Sequence, residues 1–118
     1  MKIAIGGMLK NEMKQAILKA DPTVEAIITT DMGAVPMLKS GQADYYFGAC
    51  ESGGGAAISI LIGMIGYNKC CTVCKTGGQP NKQEIEKYVS EGKICFGMTV
   101  SNIDATVPVL MEVLKAQS

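Results

Sequence analysis

The stretch Tyr45-Tyr46-Phe47-Gly48-Ala49-Cys50-Glu51-Ser52-Gly53-Gly54-Gly55-Ala56-Ala57-Ile58-Ser59-Ile60-Leu61-Ile62 decides the fold class. Its first six residues form an unbroken apolar, β-rich run, the pattern of a strand covered on both faces. A Gly-rich turn over 51–55 follows, and then an apolar segment over 56–65 long enough for a helix. Strand, tight turn and helix in that order make one β-α unit. The same alternation extends outward in both directions. Upstream, residues 2–5 read as a strand ending at Gly6-Gly7. Asn11 caps a helix to about Ala20, with Met13, Ala16, Ile17 and Ala20 on one face. Residues 24–30 make a second strand ending at Asp31, and a short helix over 34–39 closes at Ser40-Gly41. Downstream, Gly66 and Asn68 end the apolar helix and residues 70–74 form strand four. After the loop Lys75-Thr76-Gly77-Gly78, Pro80-Asn81 opens a polar helix to Ser90. Residues 93–100 are strand five, and a last helix runs from Ser101 or Asp104 to Lys115 with Pro108 in or near its first turn.

Five such units of about 20–25 residues predict an α/β fold with a parallel sheet and right-handed crossovers. The expectation is a single doubly wound domain over residues 1–118, its five strands in the flavodoxin-like, Rossmann-like order 2-1-3-4-5.

Composition narrows the chemistry. The 11 basic residues are all Lys and balance 11 acidic ones, and the chain has no His and no Trp. Without Arg forks, a basic footprint or aromatic platforms, nucleic-acid binding is not expected. His-based catalysis and His-ligated zinc are excluded. The opening Met1-Lys2-Ile3-Ala4-Ile5 reads as a strand, not a signal peptide. The longest apolar stretch, 56–65, is far short of the roughly 20 residues that span a bilayer. A cytoplasmic protein without direct membrane insertion is therefore expected.

In open α/β sheets a ligand sits beyond the carboxyl ends of the strands, where the winding direction reverses. For the expected order that point lies between strands one and three. Gly6, Gly7, Ser52, Gly53, Gly54 and Gly55 converge there, and Lys75, Thr76 and Gly77 come from the neighbouring loop. Glycines allow backbone N–H groups to approach a ligand, and the helix opening after Gly55 directs its positive dipole end at the same place. These are the expected binding residues for a phosphate or carboxylate, with Lys75 and Lys10 as counter-charges. The alternative is that the glycines only let a helix pack closely on the sheet. Neither the P-loop pattern nor the full dinucleotide fingerprint is present, although Asp31 ends strand two where a ribose-binding acid would stand. No cofactor and no metal is expected.

Five cysteines in a chain without an export signal read as free thiols. Cys50 ends strand three before the Gly-rich turn, where a helix N-terminus favours thiolate. With Glu51 it forms the candidate catalytic pair; the alternative is a small apolar residue closing the sheet. In Cys71-x-x-Cys74 the two thiols lie three apart on a strand, so they are expected on opposite faces as buried apolar groups. The segment 56–65 is apolar all round and is expected to be covered on every side. A homo-oligomer interface through this helix is anticipated, with Met8 and Met13 contributing. The alternative is cover by neighbouring helices of the same chain.

The run from Asp44-Tyr45-Tyr46 through Cys50-Glu51-Ser52-Gly53-Gly54-Gly55 to Gly66-Tyr67-Asn68-Lys69 resembles the bacterial YhfU-like family, over most of the chain. That resemblance implies a cytosolic protein encoded near a membrane transporter and phosphotriesterase-like or sugar-phosphate enzymes. Separately, Cys50-Glu51-Ser52-Gly53-Gly54-Gly55 is similar to the C-x-[ST]-G-x-G loop of ribose-phosphate and galactose-phosphate isomerases. Carried over, Cys50 would be the proton-transfer base and Ser52 a stabiliser. That family places Asp-His after strand one, where this chain has Gly7-Met8. Cysteine-phosphorylated subunits of the sugar phosphotransferase system carry their Cys directly after strand one, where this chain has Gly6-Gly7. Three functions therefore stand at this point: a binding protein for a small anionic metabolite, which the genomic setting implied by that resemblance would tie to a transporter or sugar-phosphate pathway; a sugar-phosphate isomerase-like enzyme using Cys50; or a non-catalytic oligomeric interaction subunit.

Overall fold

A computed structural model describes residues 1–51 and 55–117, with the backbone alone for 55–57. The strands are β1 (Lys2–Gly7), β2 (Glu25–Ile28), β3 (Tyr45–Cys50), β4 (Cys70–Cys74) and β5 (Cys95–Thr99). The helices are α1 (Lys10–Ala20), α2 (Asp31–Ser40), α3 (Gly55–Met64), α4 (Lys82–Ser90) and α5 (Ile103–Gln117). Short 3-10 turns, Tyr67–Lys69 and Val100–Asn102, lead into β4 and α5. All pairings are parallel, as expected.

The strand order is β2-β1-β3-β5-β4, not the anticipated 2-1-3-4-5. Strands four and five exchange places, so the chain skips a position after β3 and returns to fill it. The physical reason lies in the last helix. α5 buries Ile103, Thr106, Val107, Leu110, Met111, Val113 and Leu114, and so broad an apolar surface needs neighbours on both sides. Placing β5 inside the sheet sets α5 between α1 and α4 on one face, and it packs against both. The larger core lies there, with Ile3, Ile5, Phe47, Phe96 and Met98 of the sheet against Met13, Ile17, Ile85 and α5. The Phe47 and Phe96 rings meet edge to face at 5.9 Å between centroids. The other face carries only α2 and α3, over Ala4, Tyr46, Cys70 and Cys95.

Local departures have local causes. Asn11 does not cap α1; the helix begins at Lys10, and Leu9 is its N-cap with φ 52° and ψ 47°. The chain has already turned through Gly7 at φ 75°, and the Met8 amide donates to the Ala49 carbonyl at 2.8 Å. That bond fixes the entry to α1 before Asn11 is reached. α2 starts at Asp31 rather than near Ala34, because the Thr30 hydroxyl accepts from the Gly33 amide at 2.9 Å. Asp31 is thus a first-turn helix residue, not a strand end. Asn81 does cap α4, accepting from the Glu84 amide at 3.0 Å. Pro108 falls in the second turn of α5.

Cys71 and Cys74 lie on the same face, against the expectation. Cys71 pairs with Phe96 and Thr72 with Gly97, yet Cys74 pairs with Met98, so Val73 is an extra residue in β4. The bulge restores Cys74 to the side of Cys71. Met13 is fully buried in α1 and cannot reach an interface. Within the single chain α3 keeps an open side: Ile58 and Leu61 are buried, whereas Ser59, Gly63 and Met64 are exposed.

Gly7 and Gly41 separate strain from crowding. A Cβ at Gly7 would lie 2.5 Å from the Ala49 carbonyl oxygen and 2.8 Å from its amide nitrogen, whereas at Gly41, also at positive φ, nothing lies within 4 Å. Urea unfolding should show Gly41→Ala costing about 1 kcal/mol and Gly7→Ala about 3 kcal/mol or more. Equal costs would mean that β1 and β3 do not meet this closely.

Candidate functional site

The carboxyl ends of all five strands share one rim, because the sheet is wholly parallel. At its centre is the end of β3. Gly6 pairs with Gly48 and Gly7 with Ala49 on one side of β3; Cys50 pairs with Thr99 on the other. β3 delivers the chain to the α2/α3 face, while β1 and β5 deliver theirs to the opposite face. The turn after β3 is therefore flanked on both sides by strands whose connections leave in the other direction. The exchanged strand order gives this sheet a crevice at β3/β5 in addition to the expected one at β1/β3.

Cys50 is 7 % exposed and carries no disulfide. Glu51 is exposed, and its carbonyl accepts from the Thr76 hydroxyl at 2.6 Å. That bond ties the loop after β4 to the loop after β3, although β5 lies between the two strands. The 75–78 loop is also tied to the end of β5. The Asn102 amide nitrogen donates to the Gly78 carbonyl, and it lies 3.6 Å from the Cys74 sulfur. Gly78 donates back to the Lys75 carbonyl at 2.9 Å, and Gly77 turns at φ 77° with open space around it. Lys75 lines two clefts along the β4 edge. Lys10 opens α1, on the face away from α3. Gly55 is the first residue of α3. Ser52, Gly53 and Gly54 lie outside the described residues.

Gly6 and Gly7 have internal occupants where a Cβ would stand. At Gly6 the space belongs to Tyr46, with its ring edge at 2.9 Å and the Asp31 amide nitrogen at 3.1 Å; at Gly7 it belongs to the Ala49 backbone. At Gly48 the Tyr46 hydroxyl stands 2.7 Å from where a Cβ would be. The Tyr46 ring therefore lies along the sheet over both glycines, with its hydroxyl directed to the rim near the start of α2. Burial pushes its phenol well above the ordinary range, and the Asp31 carboxylate adds to this. The group is a neutral O–H at any working pH. Tyr46 was not among the expected site residues. The signal was present in the sequence: glycines at adjacent register positions of neighbouring strands leave a trough that a flat ring fills.

Thr99 and Ser101 were also not expected, since strand five was placed at the edge. Thr99 is buried, and its hydroxyl lies 3.1 Å from that of Ser101. Leu9, Glu12, Ser101 and Asp104 line a cavity of about 380 Å³ between α1 and the entry to α5. No cluster of three or more metal-ligating side chains occurs among the described residues. No helix among them is long and apolar enough to cross a membrane. The rim thus carries the exposed Glu51 and Ser101, with the Tyr46 phenol, the Thr99 hydroxyl and the Cys50 thiol buried beneath it.

With this geometry in view, the family is clear. The chain belongs to the family described as protein of unknown function DUF2620, whose model matches residues 1–114. It is 43% identical over 115 residues to the uncharacterized protein YhfU of Escherichia coli strain K12, covering 97% of this chain and 98% of that one. The same figures hold for YhfU of Escherichia coli O6:H1 strain CFT073 and of Shigella flexneri. No solved structure matches the chain.

Thr76→Val should remove the tie between the loops at a cost of about 1 kcal/mol. Hydrogen exchange by mass spectrometry should show faster exchange confined to peptides around 49–51 and 75–78. Unchanged exchange in those peptides would show that the Glu51 carbonyl does not depend on Thr76.

Proposed function

We propose that the protein binds a small anionic metabolite, bearing a phosphate or carboxylate, at the turn after β3. The observation that carries this reading is the placement of that turn between two strands whose connections leave on the opposite face. Crevices at such points are where open α/β sheets accept ligands. In sequence, Ser52-Gly53-Gly54-Gly55 leads directly into α3, whose N-terminus starts at Gly55, and a helix N-terminus favours an anion. The hydroxyl of Thr76 is already committed to Glu51 and Lys75 lines clefts along the β4 edge, which leaves Ser52 as the expected side chain to select the ligand. Isothermal titration with inorganic phosphate, sugar phosphates and small carboxylates tests the reading. At least one should bind at millimolar concentration or below, and Gly54→Val should weaken it at least about tenfold, or 1.4 kcal/mol. Absence of heat across the panel, or an affinity untouched by Gly54→Val, would reject it.

A second reading rests on a separate observation. α3 has no charged residue over 55–64, and its outer side exposes Met64 at 55%, while Met32 on α2 is 66% exposed on the same layer. We infer that this layer meets a second copy of the chain. Light scattering should give a dimer or larger species, and Met64→Glu should convert it to a monomer. A wild-type monomer at high micromolar concentration would rule the interface out.

A further inference from the structure

Cys70 and Cys95 are direct register partners on the adjacent strands β4 and β5. Both side chains face the α2/α3 layer. Adjacent strands hold paired Cα atoms within about 5–5.5 Å, inside the range over which a disulfide closes. The other thiols are placed differently. Cys71, 8% exposed, borders the same edge cavity as Cys70, but it packs into the larger core on the opposite face and has Phe96, not a thiol, as its register partner. Cys74 sits at the far end of β4 beside the Gly78 carbonyl, 3.6 Å away. Cys50 pairs with Thr99, four residues along from the level of Cys95 and so about 13 Å away.

The pair is asymmetric. Cys95 is wholly buried, whereas Cys70 is 6% exposed and lines a cavity of about 250 Å³ with Ile58, Ile62, Tyr67 and Lys93. The Lys93 ammonium lies 6.0 Å from the Tyr67 ring centroid at this mouth. Of the two, only Cys70 borders the cavity. We propose that Cys70 and Cys95 are a hydroperoxide-reactive thiol pair, Cys70 being the sulfur attacked from solvent and Cys95 the one that resolves it as a disulfide.

The chemistry balances with hydrogen peroxide as the only co-reactant. Cys70 releases its proton to solvent and the thiolate attacks one peroxide oxygen; an S–O bond forms, the O–O bond breaks, and the departing hydroxide takes up a solvent proton, replacing the one released, to become water. Cys95 sulfur then attacks Cys70 sulfur. An S–S bond forms, the S–O bond breaks, and the hydroxide that leaves takes the Cys95 proton as a second water. Two thiols are oxidised and one peroxide is reduced. The surroundings favour that division of roles. The neighbouring Cys95 thiol, with help from Lys93, holds the Cys70 thiol below its usual range despite burial, and the Cys70 thiol and burial push Cys95 up.

The test uses the full chain, folded and reduced, exposed to hydrogen peroxide in slight excess. Intact mass should fall by about 2 Da, the two hydrogens lost on disulfide formation, and dithiothreitol should restore it. Tryptic mapping without reductant should join peptide 70–75 to peptide 94–115, with fragment ions assigning the bond to Cys70. In Cys95→Ser the disulfide should vanish and dimedone should label Cys70. Wild-type mapping decides the matter even if that variant does not fold. The proposal fails if the mass does not fall, if the bond uses Cys71 or Cys74, or if Cys70→Ser still loses the two hydrogens.

Discussion

The Tyr46 ring lying across Gly6 and Gly48 is the constraint on which the α2/α3 half of the molecule depends. A buried tyrosine needs a flat bed on its sheet side and a route for its hydroxyl to a polar edge. Gly6 and Gly48, paired across β1 and β3, supply the bed, and the rim near Asp31 supplies the edge. The rest of this face is also small, with Ala4, Gly97 and Cys95 in the central strands. Small residues let two helices rather than three cover it, because each approaches the sheet closely. The opposite face carries Ile3, Ile5, Phe47, Phe96 and Met98, and their bulk calls for three helices. The uneven division of helices is thus set by side-chain size on the two sides of the same strands.

Much of this was legible in the sequence, and the unread parts have identifiable causes. The limits of β3 and β4 follow directly from their apolar runs and bounding turn residues. The turn chemistry at Gly41 and the cap at Asn81 are equally local. Strand order is not local. Cys70-Cys71-Thr72-Val73-Cys74 and Cys95-Phe96-Gly97-Met98-Thr99 are alike in length and polarity, so nothing within them says which is central. The deciding term is the apolar surface of α5, which a reading by strands passes over. The bulge at Val73 is hidden for a related reason: its signal is the partner register, not the residue itself. Leu9 in a left-handed conformation is set by the Met8–Ala49 hydrogen bond, a contact more than 40 positions away in sequence.

At the candidate site, the expected residues divide by what the structure places around them. Gly6 and Gly7 have the Tyr46 ring and the Ala49 backbone where a Cβ would stand, a packing role different from the helix approach considered from sequence. Thr76, Gly77 and Lys75 belong to a loop braced against both neighbouring loops, through Glu51 on one side and Asn102 on the other. Such bracing fixes the outer wall of the crevice, and it commits the Thr76 hydroxyl to that wall. The anion-binding reading therefore rests on residues 51–55 and their surroundings, and not on the glycines of β1.

The rim and the thiol pair lie at opposite ends of the same strands, and that separation has a physical consequence. Cys70 and Cys95 open β4 and β5, while the loops that build the rim follow Cys74 and Thr99. A covalent bond between the first residues of the two strands would fix their register at one end. The bulge at Val73 takes up the mismatch between them before the other end is reached. An extra residue in an edge strand absorbs small shifts by changing local twist. Oxidation at the strand starts would thus be felt in the α3 side of the sheet, where Cys70 meets Ile58 and Ile62 around the cavity. The crevice at β3 would keep its shape, because its bracing bonds all lie beyond the bulge.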